Sequence, residues 1–317
     1  MTNIDSPYYK MMMNNMYVFH KAKDIVKNKN NDYYDLSILN YKKNIKFSIV
    51  MTTYNRSVQT YFTLKTIAES QCKNIQVIIV DDSNKDLLEL NKLEQFKLCI
   101  YHIKIKNKFW FNPCINYNLG FQFIKGDKII IQNAEVCHIG NVLKFIKKNI
   151  KNDEYLVFDV GNFPNMETNC KFYNMDYSYN NFEEWSKLFT SGFPWYQHPI
   201  HRNECLHFLT ALTKKTFNKV KGFDYDFCMG SWYDDNEFLF RIQNSNINII
   251  NIKSDVHKIM GIHQWHIKSG DDWDRNAISN KELFDAKKKY YSQFGKFFYS
   301  TDYNISDSYK EIGILFK

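Results

Sequence analysis

The chain has 317 residues, 44% of them hydrophobic, enough for one large domain or two modest ones with a substantial core. Its formal charge of +8 comes from lysines scattered along the chain, with arginine only at Arg56, Arg202, Arg241 and Arg275, so the clustered basic and aromatic surface of a nucleic-acid binder is not expected. No apolar run approaches the roughly 20 residues of a membrane span, and no basic flank with an apolar block opens the sequence, so neither a transmembrane nor a secreted chain is expected. Seven cysteines without CxxC spacing suggest neither a structural zinc site nor a disulfide framework, and they fit a reducing cytoplasmic setting, for a viral chain the cytoplasm of the host.

Residues 1–44 are rich in Met, Asn and Lys, with weak periodicity beyond a short helical stretch at 17–27, and read as an N-terminal extension. From Phe47 the texture becomes α/β alternation. The strand "KFSIVM" precedes a helical face of Val58, Tyr61, Phe62, Ile67 and Ala68, and "IQVIIV" then ends in Asp81-Asp82-Ser83-Asn84. A third strand, "CIYHIKI", leads to a helix with Asn112 as N-cap, Pro113 at its first position and Gly126 past its end. "KIIIQ" follows, then a helix with Val142, Leu143, Ile146 and Ile150 on one side and lysines on the other. Continuous apolar strands between amphipathic helices predict a mostly parallel central sheet with helices on both faces.

Ligands of such sheets bind beyond the carboxyl ends of the strands. Three polar clusters should therefore converge on one crevice: Thr52-Thr53-Tyr54-Asn55, Asp81-Asp82, and Gln132-Asn133-Ala134-Glu135. The second half is less regular. It contains a strand at 155–161, an aromatic, loop-rich stretch at 163–205 with "FPWYQHPIHRNE", a helix at 234–243, a strand at 246–252, "HQWH" at 263–266, and a polar loop before a Lys-rich helix. No internal repeat is present.

"FSIVMTTYNRS", "VIIVDDSN", a polar break after the fourth strand and "VKGFDYDFCMGSWYDDNEFLFRI", taken in this order over about residues 46–266, resemble the GT-A glycosyltransferases, particularly glycosyltransferase family 2. The resemblance implies an α/β GT-A fold, a Rossmann-like nucleotide-diphospho-sugar transferase domain at 45–266, between the 1–44 extension and a helical tail at 267–317. It further implies transfer of a sugar, with inversion, from a nucleotide-diphosphate donor, a UDP-sugar by preference, to a hydroxyl of a glycan or glycoconjugate.

Residue by residue, the resemblance makes Thr52, Tyr54, Asn55, Arg56, Asp81, Asp82, Asn133 and Arg202 the nucleotide-sugar residues, with Tyr54 stacking on the base. The family's Asp-x-Asp falls on Gln132-x-Ala134 in strict alignment, or on Asn133-x-Glu135 one residue on. An amide oxygen and a carboxylate can still ligate Mn²⁺ or Mg²⁺, with His263 and His266 as further ligands. Without metal, Arg202 beside His198 and His201 would neutralise the diphosphate. His138, beside Gly140 at a helix start, reads as a cap. Asp235 would take the acceptor's proton and Asp234 would bind its hydroxyl, although acidic residues also suit any helix N-terminus. Trp232 and Trp195 would stack on acceptor sugars.

In the helix "PCINYNLG", Tyr117 stands where the family usually has arginine between Asn116 and Asn118, so that arginine's role does not carry over. Asn55-Arg56-Ser57 is also a glycosylation sequon within the proposed nucleotide loop. Two other readings remain. A nucleotidyltransferase would carry a Gly-rich phosphate loop after the first strand, and "TTYNRSVQT" has no glycine. A non-catalytic glycan- or partner-binding descendant would fit the altered Asp-x-Asp.

Overall fold

All seven residues of Ile75–Asp81 are buried, as they must be in a strand flanked by neighbours and covered on both faces. In the computed structural model, which describes residues 7–70, 72–174, 194–267 and 277–316, this strand lies inside an eight-stranded sheet. The polar loop after residue 267 and residues 175–193 of the aromatic stretch lie outside the described residues.

The strands of this sheet are β1 (Tyr34–Leu39), β2 (Phe47–Thr53), β3 (Ile75–Asp81), β4 (Cys99–Ile105), β5 (Lys128–Gln132), β7 (Glu154–Phe158), β10 (Leu209–Thr213) and β11 (Asn248–Ile252). Their order is β1-β4-β3-β2-β5-β10-β7-β11. The block β4-β3-β2-β5 is parallel, and its reversal of winding between β2 and β5 is the switch point at which α/β sheets open a crevice. β10 runs antiparallel to both β5 and β7, and β1 antiparallel to β4. Neither β1 nor β10 was expected from sequence. Each is short, and β10 follows a loop-rich stretch instead of a crossover helix.

Alternate residues of the parallel strands feed two different cores. Ile78 and Val80 pack on one face with Met12, Met16 and Phe19 of the helix Pro7–Asn28, while Val77 and Ile79 pack on the other with Leu64, Leu143 and Ile146. The segment read as an N-terminal extension therefore contributes β1 to the sheet edge and a helix to the first core. That helix also meets the C-terminal helix Ile305–Leu315.

A second sheet, β6 (Val136–Ile139), β12 (Met260–His263), β8 (Val160–Asn162) and β9 (Trp195–Gln197), stands beside the first. The helix Ser57–Ala68 is packed against β6, and this changes its expected face. Val58 is exposed, and the buried side includes Thr60, Thr63 and Thr66. The polar atoms are used: Gln264 donates to Thr63 Oγ1 at 3.0 Å, and the Thr66 hydroxyl accepts the His138 N–H at 3.0 Å.

Two expected caps also differ. His138 caps nothing, because it lies within β6 with its Nε2 2.9 Å from Gln132 Oε1, and burial lowers its pKa to about 3. Gly126 is not the C-cap of the helix Cys114–Phe121. Its backbone passes so close to the start of β2 that an added Cβ would lie 2.7 Å from Phe47 C.

If the N-terminal helix is part of the core, Phe19→Ala should lower the unfolding free energy by about 3 to 5 kcal/mol in urea titration. A loss below about 1 kcal/mol would show that the helix is only loosely attached.

Candidate functional site

The loops leaving β2, β3 and β5 at their carboxyl ends open on one cleft of about 1420 Å³. Thr52, Tyr54 and Arg56 line it from the first loop, Asp82 from the second, and Asn133 and Glu135 from the third. Arg202, Trp232, Asp234, Asp235 and His266 line it from the second half of the chain. Asn55, Asp81, Trp195 and His263 are not in its wall.

Asp81 and Asn55 instead hold the loops in place. Asp81 is fully buried, accepts the Ser83 N–H at 2.8 Å and lies 3.0 Å from His102 Nε2. Burial alone would raise its carboxyl, but the hydrogen bonds from His102 and Ser83 bring it below the ordinary range. Asn55, at φ 53°, accepts the backbone N–H groups of Asn84, Lys85 and Asp86 on its side-chain oxygen and donates to Asn84, so its amide ties the first loop to the second. Asp82 faces the cleft, paired with Lys108 and 3.4 Å from Asn116 Nδ2.

The polar end of β5 divides by role. Gln132 is structural, donating to Val136 O at 2.9 Å and accepting from His138, and Ala134 belongs to the core. Asn133 and Glu135, one residue out of the strict alignment, are the two that reach the cleft. Tyr117, in the place of the family's arginine, donates to Gln132 O at 3.0 Å and holds this strand end.

Glu135 is 2% exposed, with Arg56 Nη1, His263 Nε2 and His266 Nε2 at 2.5, 3.4 and 3.7 Å from Oε1. Burial would raise its pKa, but the Arg56 charge and the neighbouring His263 outweigh it and hold the group ionised, well below the usual range. The second sheet aims the histidines. His263 ends β12, donates its Nδ1–H to Asn162 Oδ1 at 3.0 Å, and stacks on Tyr196 with ring centres 3.9 Å apart. Gln264 binds Glu135 O through both its backbone and side-chain N–H groups, and Asn169 takes both the N–H and the carbonyl of Trp265.

Ligand atoms of Glu135, His263 and His266 lie within 4.8 Å of one another. Glu135 Oε2 and His263 Nε2 are buried without a hydrogen-bond partner among the described residues. A carboxylate and two imidazoles with unspent lone pairs fit a divalent cation, and the imidazoles favour Mn²⁺ over Mg²⁺.

The helix Asp234–Gln243, whose first residues line the same cleft, begins immediately after two left-handed residues, Trp232 at φ 63° and Tyr233 at φ 64°. Such backbone is costly for bulky residues and needs support. Asn280, from the helix Ala277–Phe294, supplies it by donating to Trp232 O at 2.8 Å and Phe227 O at 3.2 Å. The indole of Trp232 stays exposed in the cleft wall.

Asp234 accepts from Asn112 Nδ2 at 3.0 Å, and the Asn112 oxygen accepts the Cys114 N–H, so the residue read as a helix cap also orients a carboxylate. Burial raises Asp234, and burial with the neighbouring Asp234 charge raises Asp235 to about 7. The acidic signature before this helix has another purpose. Asp224 and Asp226 bind buried Lys287 at 2.5 and 2.7 Å, and Arg241 closes a double hydrogen bond on Glu237.

Trp195 packs on His198 and His201 instead of lining the cleft, tilted against the first with ring centres 4.4 Å apart and parallel to the second at 6.3 Å. Arg202 lies over the Tyr196 ring at 5.0 Å. Sequence reasoning did not identify Asn162, Gln264, Asn280 or Lys108, whose importance comes only from what they face. Asn112 alone carried a signal, as a cap.

A carboxyl with a higher pKa folded than unfolded holds its proton more tightly in the native state, so its contribution to stability falls as pH rises from about 4 towards 7. Asp235→Asn should therefore raise Tm at pH 8 by a few degrees, with the gain shrinking towards pH 4, in calorimetry. A variant less stable than the parent at pH 8 would contradict the raised pKa.

Comparison with known proteins adds the following. Residues 48–210 match the model of glycosyl transferase family 2. No curated protein matches the chain. Among solved structures, TarS 1-349 of S. aureus in complex with UDP-GlcNAc superposes with a TM-score of 0.51 at 13% identity, covering 72% of this chain and 60% of that one. The mannosyltransferase PcManGT from Pyrobaculum calidifontis, in complex with GDP-Man and Mn²⁺, gives a TM-score of 0.44 at 12% identity over 97% of this chain and 79% of that one. The chain thus spans three-fifths of the TarS 1-349 chain, whose likeness shows the GT-A fold. No helix among the described residues is long and apolar enough to cross a membrane.

Proposed function

This chain belongs to glycosyl transferase family 2, and we propose that it moves a sugar from a nucleoside-diphosphate donor to a hydroxyl of a glycan or glycoconjugate, with inversion. One observation carries the reading: one cleft is lined both by Glu135 and His266, of a cluster with the geometry to hold a cation, and by Asp234 and Asp235, a carboxyl pair of raised pKa.

At the donor end, Asp82 and Asn116 offer acceptor and donor groups to the base or ribose, Tyr54 a ring for stacking, and Arg56 a charged fork for the diphosphate. Glu135, His263 and His266, with Asn133 of the same cleft wall as a further oxygen donor, would hold a divalent cation, which when bound supplies positive charge to the departing diphosphate. A UDP-sugar is the donor we propose, since TarS 1-349 binds UDP-GlcNAc in a domain of this fold. All the proposed site residues fall within 45–266, which we take as the extent of the catalytic machinery. Seven free cysteines favour a reducing, cytoplasmic setting.

At the acceptor end, Asp235 would take the hydroxyl proton as oxygen attacks the anomeric carbon from the side opposite the diphosphate. A base with pKa near 7 suits this, because at neutral pH about half of it is free of its proton and that half is basic enough to accept one. Asp234, oriented by Asn112, would bind the same hydroxyl, and Trp232 would carry an acceptor ring.

The first test is a thermal-shift series with UDP, GDP, CDP and TDP, each with Mn²⁺, Mg²⁺ or EDTA. A UDP-selective rise in Tm that is larger with Mn²⁺ is expected. A folded protein that no nucleotide stabilises would refute donor binding and favour a glycan-binding module. With the matching donor, transfer should rise about tenfold per pH unit up to about 7 and then level, and Asp235→Asn should lower kcat by about 100-fold or more. A flat pH profile together with an active Asp235→Asn enzyme would remove Asp235 as the base.

A further inference from the structure

Three groups from distant parts of the chain converge on one oxygen. Arg56, His263 and His266 all address Glu135 Oε1, while Oε2 has no hydrogen-bond partner among the described residues. A cation held by Glu135, His263 and His266 would take the carboxylate that the guanidinium already holds. The imidazoles bring no negative charge, so one carboxylate would face a guanidinium and a divalent ion together. In a site this buried their repulsion is poorly screened.

Arg56 has somewhere else to go. Glu135 is its only side-chain partner among the described residues, its side chain is partly exposed, and it lines the cleft from the loop after β2. One of its guanidinium N–H groups is spent on Glu135 in the hydrogen bonds of this structure, and its planar fork suits the paired oxygens of a diphosphate better than a single carboxylate oxygen.

We propose that Arg56 is an internal competitor of the divalent cation: it neutralises Glu135 in the donor-free protein and releases it when a diphosphate draws the guanidinium into the cleft. Cation and diphosphate then bind cooperatively through one side chain, and each strengthens the other by the same factor. The altered Asp-x-Asp fits this arrangement. With Asn133 in place of one carboxylate, the site holds a single acidic side chain, and Arg56 cancels its charge until the donor arrives. The inference rests on the cation site of the function proposed above.

The test is the Mn²⁺ affinity of the full chain without nucleotide, read from the electron paramagnetic resonance signal of free Mn²⁺, for the parent protein, Arg56→Gln and Glu135→Gln. Arg56→Gln should bind Mn²⁺ about tenfold or more tightly than the parent, within the ordinary range of such couplings, and Glu135→Gln should not bind it. If Arg56→Gln does not fold, Arg56→Met, which keeps the length of the apolar stem, is measured in its place. Equal or weaker Mn²⁺ binding by the Arg56 variant would overturn the competition while leaving the cation site standing. Absence of Mn²⁺ binding in every folded form would overturn both.

Discussion

A carboxylate with almost no access to water, Glu135, sets the terms for the rest of this structure. Holding such a charge away from solvent costs several kcal/mol unless it is paired, and removing its partner costs about 3 to 5 kcal/mol. The compensation comes from two distant places, Arg56 in the first loop and the histidines more than 120 residues downstream. Much of the second sheet serves that convergence. β12 delivers His263, β8 supplies Asn162 to turn its imidazole, and β9 brings Tyr196 to lie against it. The threonine-rich face of the helix Ser57–Ala68 follows from the same demand, since it must accept polar groups from β6 and from the Gln264 segment.

A second problem of buried charge arises elsewhere in the cleft wall. Asp234 and Asp235 open a helix whose N-terminal dipole favours acidic groups, yet burial raises both. Their position depends on a left-handed pair of bulky residues, a conformation that persists only where its surroundings enforce it. The enforcement comes from the helix Ala277–Phe294, through Asn280 on the carbonyls of Phe227 and Trp232 and through Lys287 between Asp224 and Asp226. Residues beyond 266 are thus part of the scaffold that positions Asp234 and Asp235. The N-terminal helix completes that layer by packing on the same core.

The parallel block was legible because strands buried on both faces must be continuously apolar, and the helix Asp234–Gln243 because acidic residues lead directly into an apolar periodicity. β1, β6, β9, β10 and β12 were not, since three to six residues paired across long sequence separations leave little local pattern. Gly126 and His138 illustrate a related limit. A glycine near a helix end and a histidine near a helix start look like caps, whereas here a neighbouring backbone and a partner glutamine decide their roles.

Residue types and spacing by themselves determined the α/β class and the three strand ends that meet at the cleft, because hydrophobic period and parallel connectivity are local and strongly constrained, and the motifs at those ends carried the resemblance to the family. Only the tertiary structure decided which polar residues of those strand ends face the cleft. The neighbours Asp81 and Asp82 look alike as candidates until alternation and packing turn one inward and the other to the cleft. It alone also decided that Arg56 and both histidines address a single oxygen, since an ion pair between segments so far apart in sequence exists only once two sheets and their loops have closed around it.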